Sequence, residues 1–136
     1  MLNPGDYSLC DLAVTTALSG VAQTPIQNLE GIVAATIIAK FSYGSGGTGL
    51  KAWVQVTVDD GQTWMDIACF AFTTGSAIKA VNLSGLTPVT TAFAPSDGAM
   101  ADDAVKDGVL GSAMRVKITS TGTYSNTIIS VKVSVR

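Results

Sequence analysis

Apolar and polar residues alternate along several stretches of this chain, and this period of two is the feature that most restricts its fold. Every second residue is apolar over residues 50–58, 114–119 and 129–136. Successive side chains of a β-strand point to opposite faces, so such a pattern is typical of a strand with one buried face. The three segments therefore predict half-buried strands of an antiparallel sheet.

Further strands are predicted where apolar residues cluster between turn signals. These segments are residues 7–15, 24–29, 32–43, 64–73 and 77–83. The segment 32–43 is the densest in apolar residues, and we expect it to be buried on both faces. Many short strands separated by glycine-containing turns favour a β-sandwich or a barrel. We predict one all-β domain over residues 1–136, an antiparallel β-sandwich that is jelly-roll-like or immunoglobulin-like.

Two segments do not fit this pattern of strands. Residues 85–111 form a long irregular region, and loops of that length in a compact domain are uncommon and usually functional. Within it, Ala99 to Val105 is the best candidate for a short helical turn, after Ser96-Asp97 as a possible N-cap. At the N-terminus, residues 1–6 are expected to form an extended arm that can add to the sheet edge of a neighbouring copy.

The composition narrows the possible partners. The chain has 136 residues, of which 47% are hydrophobic and 13% charged, and the charged fraction is about half the usual one. Few charges need to be desolvated on contact, which favours a protein that works in an assembly. The net charge of −2 offers no basic excess for nucleic acid. No apolar run is long enough for a membrane span, and the start does not resemble a signal peptide, so synthesis in the cytoplasm is expected.

Catalytic and metal-binding residues are scarce. The chain has no histidine and two cysteines, Cys10 and Cys69, which argues against a usual zinc site. We expect both thiols to be buried and reduced, although a disulfide stays open for an extracellular particle. No serine or cysteine has an evident base beside it, so we predict no enzymatic activity and no cofactor, while a carboxylate-pair glycosidase stays open.

An acidic loop is the candidate for calcium. Its carboxylates are Asp97, Asp102, Asp103 and Asp107. Oxygen-rich loops can hold calcium, but the spacing does not match an EF-hand and no glutamate follows. We therefore expect a solvated loop, which can also dock on a neighbouring subunit through Met100 and Val105.

The most specific local motif runs from Thr57 to Trp64. It matches the Asp-box pattern Ser/Thr-x-Asp-x-Gly-x-Thr-Trp, which occurs in sialidase propellers and in many other β proteins. A sialidase would repeat the box and would need an arginine cluster, whereas this chain has one box and only Arg115 and Arg136. We interpret the motif as a hairpin in which Asp59 binds backbone amides across the turn.

The polar sides of the strands carry the candidate interface. Five cations are expected there: Lys51, Arg115, Lys117, Lys132 and Arg136. Trp53 falls on the same side, and an exposed tryptophan can anchor a protein interface or bind a sugar ring. The row of cations either keeps the strands soluble or docks on an acidic partner. We select Trp53, Arg115, Lys117 and Met100 as candidate interface residues.

Two segments resemble small structural proteins of tailed bacteriophages and gene-transfer-agent-like particles. They are the strand–turn–strand Val54 to Ala68 and the ending Gly108 to Tyr124, which is followed by a valine-rich strand. The resemblance implies a virion protein, above all a capsid decoration (cement) protein that bridges subunits of the major capsid protein. It also implies a homo-oligomer that is made in the host cytoplasm and incorporated into the virion. A neck or tail component, or a carbohydrate-binding β-sandwich for host attachment, are the alternatives.

Overall fold

A computed structural model describes residues 2–136, and this part of the chain is all β. It contains no helix, and therefore none that is long and apolar enough to cross a membrane. The strands are β1 (Gly5–Ala13), β2 (Val21–Ala22), β3 (Ala34–Ser42), β4 (Ser45–Gly46), β5 (Gly49–Thr57), β6 (Met65–Phe72), β7 (Ala77–Ser84), β8 (Ala113–Thr121), β9 (Tyr124–Ser125) and β10 (Ile128–Val135). All of them pair antiparallel. The predicted all-β fold is confirmed.

Two four-stranded sheets pack face to face as a sandwich. The first sheet has the order β1-β10-β3-β7 and the second has the order β2-β8-β5-β6, while β4 and β9 form a small separate ribbon. The apolar sides of the alternating strands form one core between the sheets, with Ile37, Leu50, Val116 and Ile129 fully buried. Each such side chain contributes about 1.5–3 kcal/mol to folding, which makes this core the main source of stability.

Three local expectations were wrong. The segment 24–29 forms an isolated bridge, between Ile26 and Met114, and not a strand, and the positive φ of Asn28, 62°, lies outside the strand region. Strand β3 alternates between buried and exposed residues, so it is buried on one face only. The expected helical turn at Ala99–Val105 is an extended segment with a turn. This segment pairs with β6, where the backbone N–H of Cys69 donates to the Ala104 carbonyl at 3.0 Å.

The strands with two buried faces are β5 and β6. Their inner faces line the core, and their outer faces lie under the connection between β7 and β8. We call this connection, residues 85–112, the strap. It has no strand of its own, only the bridge between Val105 and Ala68. Although β5 has polar residues on its outer face, most of it is buried, because the strap covers that face.

A β-bulge at Ile67 decides which way Asp66 points. Ala68 lies opposite Val54, but the next pair is Asp66 with Gln55, so Ile67 is the extra residue. In an unbroken strand Asp66 would share the face of Ala68 and point into the core. The bulge changes that alternation and places Asp66 on the outer face, beside Gln55.

The N-terminal segment lies against its own domain. Gly5 and Asp6 belong to β1 and pair with Val135 and Ser134 of β10. Leu2 donates its backbone N–H to a carbonyl of the same domain and packs against the core. Residues 2–6 therefore do not project from the domain as the expected arm, and Met1 lies outside the described residues. Its exchange with a neighbour stays a prediction.

Gly47 offers a test of this packing. Its φ is +65°, and a Cβ there would lie 2.4 Å from the buried ring of Tyr124. We expect Gly47→Ala to lower the free energy of unfolding by about 2–4 kcal/mol, since it adds backbone strain to overpacking. Urea denaturation measures this change. The matched control is Gly75→Ala, where a Cβ meets nothing within 4 Å and the change should stay within about 0.5 kcal/mol. Equal losses in both variants would contradict the packing.

Candidate functional site

The buried carboxylate of Asp66 is the point on the second sheet where most hydrogen bonds from the strap converge. Its side chain is only 3% exposed. The groups that donate to it are Gln55 Nε2 at 2.8 Å, Ser96 Oγ at 2.9 Å, the backbone N–H of Gly98 and of Ala99 at 2.9 Å each, and the backbone N–H of Met100 at 3.1 Å. Three successive backbone amides aimed at one anion form a concave binding site for it, which the protein fills with its own side chain.

The charge of Asp66 is stabilised by these donors. Burial raises the pKa of Asp66, but the hydrogen bonds from Gln55, Ala99, Gly98 and Ser96 outweigh burial and hold the pKa below its ordinary value. The carboxylate is therefore ionised at neutral pH. Among residues 2–136, no buried side-chain nitrogen or oxygen lacks a hydrogen-bond partner, so the polar network is fully satisfied.

Trp53 lies under the strap and is not exposed. It retains 6% of its accessible surface, and its Nε1–H donates to the Met100 carbonyl at 3.0 Å. The expectation that Trp53 projects from an open polar face was wrong, because sequence alternation does not reveal that a distant loop covers that face. Trp53 and Met100, both selected as interface residues, contact each other within one chain. Trp53 can meet a partner only if the strap moves.

Arg115 and Lys117 bind the strap through Asp97. Lys117 Nζ lies 2.9 Å and Arg115 Nη2 lies 3.9 Å from Asp97 Oδ1. Arg115 also donates to Gln55 Oε1 at 2.8 Å, and its guanidinium lies 4.2 Å from the centre of the Trp64 ring. The hydrogen bond from Lys117 is the main reason that the pKa of Asp97 is lowered. These candidate residues are therefore brought together, but as an intramolecular network.

The outward basic face expected from the sequence does not exist as one surface. Lys132 belongs to β10 of the first sheet and Arg136 follows that strand, whereas Lys51 belongs to β5 of the second. Lys51 pairs with Asp102 at 2.8 Å, and Lys79 of β7 pairs with Asp103 at 2.9 Å. Exposed pairs of this kind add little to stability, but each joins a carboxylate of the strap to a strand of the sandwich.

The Asp-box segment forms the predicted hairpin. Asp59 Oδ1 accepts the backbone N–H of Thr63 at 2.8 Å and the hydroxyl of Thr57 at 2.9 Å. The Thr57 hydroxyl oxygen accepts the Gly61 N–H at 2.9 Å. Asp60 and Gly61 both have positive φ, at 57° and 84°, as a tight turn requires.

Cysteine and metal chemistry find little support in the described residues. Cys10 and Cys69 are free, buried and on different sheets, and burial raises the pKa of each thiol to about 11. The expectation of buried thiols is confirmed. Over residues 2–136 no group of three or more His, Cys, Asp or Glu side chains could hold a metal ion. Three carboxylates of the acidic loop instead pair with lysines.

The strap exposes four apolar side chains, of which sequence reasoning singled out only Val105. We call them the ridge: Leu86 (75% exposed), Val89 (42%), Phe93 (37%) and Val105 (42%). The ammonium group of Lys106 lies 3.7 Å from the centre of the Phe93 ring. Loops are usually polar, so the apolar residues around Pro88 were the sequence signal that could have indicated these exposed side chains. The four side chains of the ridge are exposed apolar residues on a segment that is fixed at several points.

Asp66→Asn tests whether this carboxylate holds the strap. The asparagine side chain keeps the shape of the carboxylate but removes its charge. Its NH2 group is a donor, so donors of the site that now bind that oxygen would lose their acceptor. We expect a loss of about 2–4 kcal/mol in the free energy of unfolding at pH 7, measured by urea denaturation. Asp11→Asn is the control, because Asp11 is exposed and makes no ion pair within residues 2–136. A loss no greater than that of the control would refute the role of Asp66.

The pH dependence of stability should follow the same carboxylates. The pKa values of Asp66, Asp97 and Asp103 are lowered in the folded chain. Their contribution is complete above the unfolded value of about 3.9 and is lost as the pH falls through the lower folded values. We expect the free energy of unfolding to decrease on acidification below about pH 4, and Asp66→Asn to make this dependence shallower. An unchanged slope in that variant would contradict the assignment.

No protein family, curated protein or solved structure matches this chain. The sandwich, the strap and the ridge are therefore the observations from which a function has to be argued.

Proposed function

We propose that this protein is a structural component of a tailed-bacteriophage virion, without enzymatic activity, and that it acts as a capsid decoration protein. In this role it binds neighbouring subunits of the major capsid protein and stabilises the shell. Weak contacts that are repeated over a lattice give strong net binding. The resemblance of the segments 54–68 and 108–124 to small virion proteins supplies the context for this proposal.

The observation that carries the proposal is the ridge on a fixed strap. Leu86, Val89 and Phe93 are exposed on a connection that Asp66 and several lysines hold in place. A surface that is already ordered loses little conformational entropy on binding. An exposed apolar surface on a fixed segment is typical of a docking site.

The distribution of charge agrees with this role. The cations Lys51, Lys79, Arg115 and Lys117 contact carboxylates of the strap. These charges are compensated within the chain and need no partner. The strap presents exposed apolar side chains beside exposed aspartates, three of which already pair with cations of the same chain.

The alternatives differ in how much the geometry supports them. A neck or tail component would use the same ridge in a ring, so it stays open. A carbohydrate-binding role depended on an exposed tryptophan, whereas Trp53 is buried and Arg115 covers the ring of Trp64. That alternative has lost the feature that suggested it.

The copy number of the protein in purified particles tests the proposal. We expect hundreds of copies, as a lattice position requires, whereas about six or twelve copies would indicate a neck or tail ring. Detection only in the soluble fraction of the lysate would contradict any virion role. Quantitative mass spectrometry against the major capsid protein gives the ratio.

Leu86→Ser tests the ridge in the same particles. We expect it to lower incorporation several-fold without changing the fold, because Leu86 is 75% exposed. Val58→Ser is the matched control, since Val58 is 65% exposed on the Asp-box turn and does not belong to the ridge. Equal incorporation of both variants would count against the ridge.

A further inference from the structure

We propose that two copies of this chain associate through strand β7, so that their four-stranded first sheets join into one continuous sheet across a two-fold axis. This inference goes beyond the proposed function, because it concerns an edge of the first sheet and not the ridge. The occupant of that edge is β7 of a second copy, which binds by antiparallel strand addition.

Strand β7 bonds β3 on one side, and its other side is an edge of the sheet. Gly85 donates its backbone N–H to Val33, which continues the register of β7 with β3, at 2.7 Å. Bonded pairs recur at every second residue of an antiparallel ladder. The odd-numbered residues of β7 therefore bond β3, and the even-numbered residues turn their N–H and C=O groups outward. Ser84 agrees with this assignment, since its N–H donates to Asp107 Oδ1 at 2.7 Å.

The remaining outward groups of β7 belong to Ile78, Ala80 and Asn82. Among residues 2–136, no group forms a hydrogen bond with the outward N–H or C=O of these three residues. Their side chains are exposed and carry no charge. Three consecutive outward positions are thus ready to pair with another strand.

The other sheet edges within residues 2–136 are covered, short or irregular. The strap covers the edge of β6, where Cys69 donates its N–H to the Ala104 carbonyl at 3.0 Å. Strand β2 is only two residues long. Strand β1 has a bulge after Ser8 and exposes Asp6 and Asp11. Bulges and exposed charges protect an edge against pairing, whereas the outward positions of β7 have neither.

A single register lets β7 pair with itself around a two-fold axis. With the axis at Ala80, this residue faces its own copy and Ile78 faces Asn82, so all three outward positions use both their N–H and C=O groups. An axis at Lys79 would place two like charges opposite each other. An axis at residue 81 would pair Ile78 with Ser84, whose N–H is already bonded. The edge is therefore complementary to itself, which is the reason to name a second copy as its occupant.

The charged side chain of β7 is compatible with this register. Lys79 donates to the Ala71 carbonyl at 2.6 Å and pairs with Asp103 at 2.9 Å within its own chain. Its position opposite the axis residue pair leaves it facing Val81 of the second copy, so no like charges meet. Ala80, which lies on the axis, is small enough for the strands to approach closely.

A hollow beside the free edge gives the second copy apolar contact. It lies between β7 and β6, has a volume of about 300 Å³, and is lined by Phe70, Ala80 and Val81 with Cys69, Lys79 and Asp103. Side chains of opposed residues in a sheet point to the same face. Val81 of the second copy is opposed to Lys79 and therefore points towards this hollow.

Charge substitutions at Ala80 test the pairing, because this residue faces its own copy only in the proposed register. We expect the unmodified chain to form dimers in sedimentation velocity over a wide range of concentration. Ala80→Lys and Ala80→Glu should each give monomers, since like charges then meet on the axis. An equimolar mixture of the two variants should form dimers again, because the introduced charges are then opposite.

Ser8→Lys is the matched control, since Ser8 is an exposed residue on the other edge strand of the same sheet. It should leave the dimer unchanged, and circular dichroism should show the same fold in every variant. A monomeric unmodified chain would overturn the inference. So would dimers that persist in both single variants, or a mixture that stays monomeric.

The dimer and the proposed function fail separately. Leu86→Ser alters the ridge and should leave the dimer in solution intact, whereas its loss would assign the contact to the ridge and refute the role of β7. If the purified chain is monomeric but occurs in hundreds of copies on particles, the inference fails while the proposed function stands. If it dimerises through Ala80 but is absent from particles, the proposed function fails while the inference stands.

Discussion

The buried carboxylate of Asp66 is the interaction on which the outer half of this molecule depends. Backbone amides of Gly98, Ala99 and Met100 converge on it, and Gln55 donates from the neighbouring strand. A buried charge is costly unless it is fully hydrogen-bonded, and here all donors but Gln55 come from the strap. Removing the strap would leave Gln55 as the remaining donor to the charge, so the sheet and the strap need each other. This mutual requirement turns a long irregular connection into an ordered part of the fold.

The core and the strap contribute differently to this molecule. The core between the sheets supplies most of the free energy of folding, and the strap adds a second layer over β5 and β6. Within that layer Arg115 and Lys117 share Asp97 as their ion-pair partner. The ridge stays exposed on this layer. In the assembly role that we propose, it would bind without reorganising the core.

Sequence reasoning found the elements but not the layer that covers them. Alternation predicted β5, β8 and β10 because each has one apolar face, and the Asp-box pattern predicted its hairpin because the turn chemistry is local. It could not place Asp66, since the bulge at Ile67 has no clear signal in composition. It misplaced Trp53 because burial under the strap arises from contacts distant in the chain. The acidic loop and the cations were both recognised, but as separate surfaces. The opposite charges of the loop aspartates and the strand cations were the clue that these residues pair with each other.

Native-state hydrogen exchange of the amides of Gly98, Ala99 and Met100 tests the central claim most directly. If Asp66 clamps the strap, these amides exchange slowly in the unmodified chain, approaching the protection of the β5 amides, although no strand contains them. In Asp66→Asn their protection should fall selectively, while β3 and β10 of the first sheet stay protected. Fast exchange of all three amides in the unmodified chain, as at the exposed turn around Gly75, would contradict the clamp.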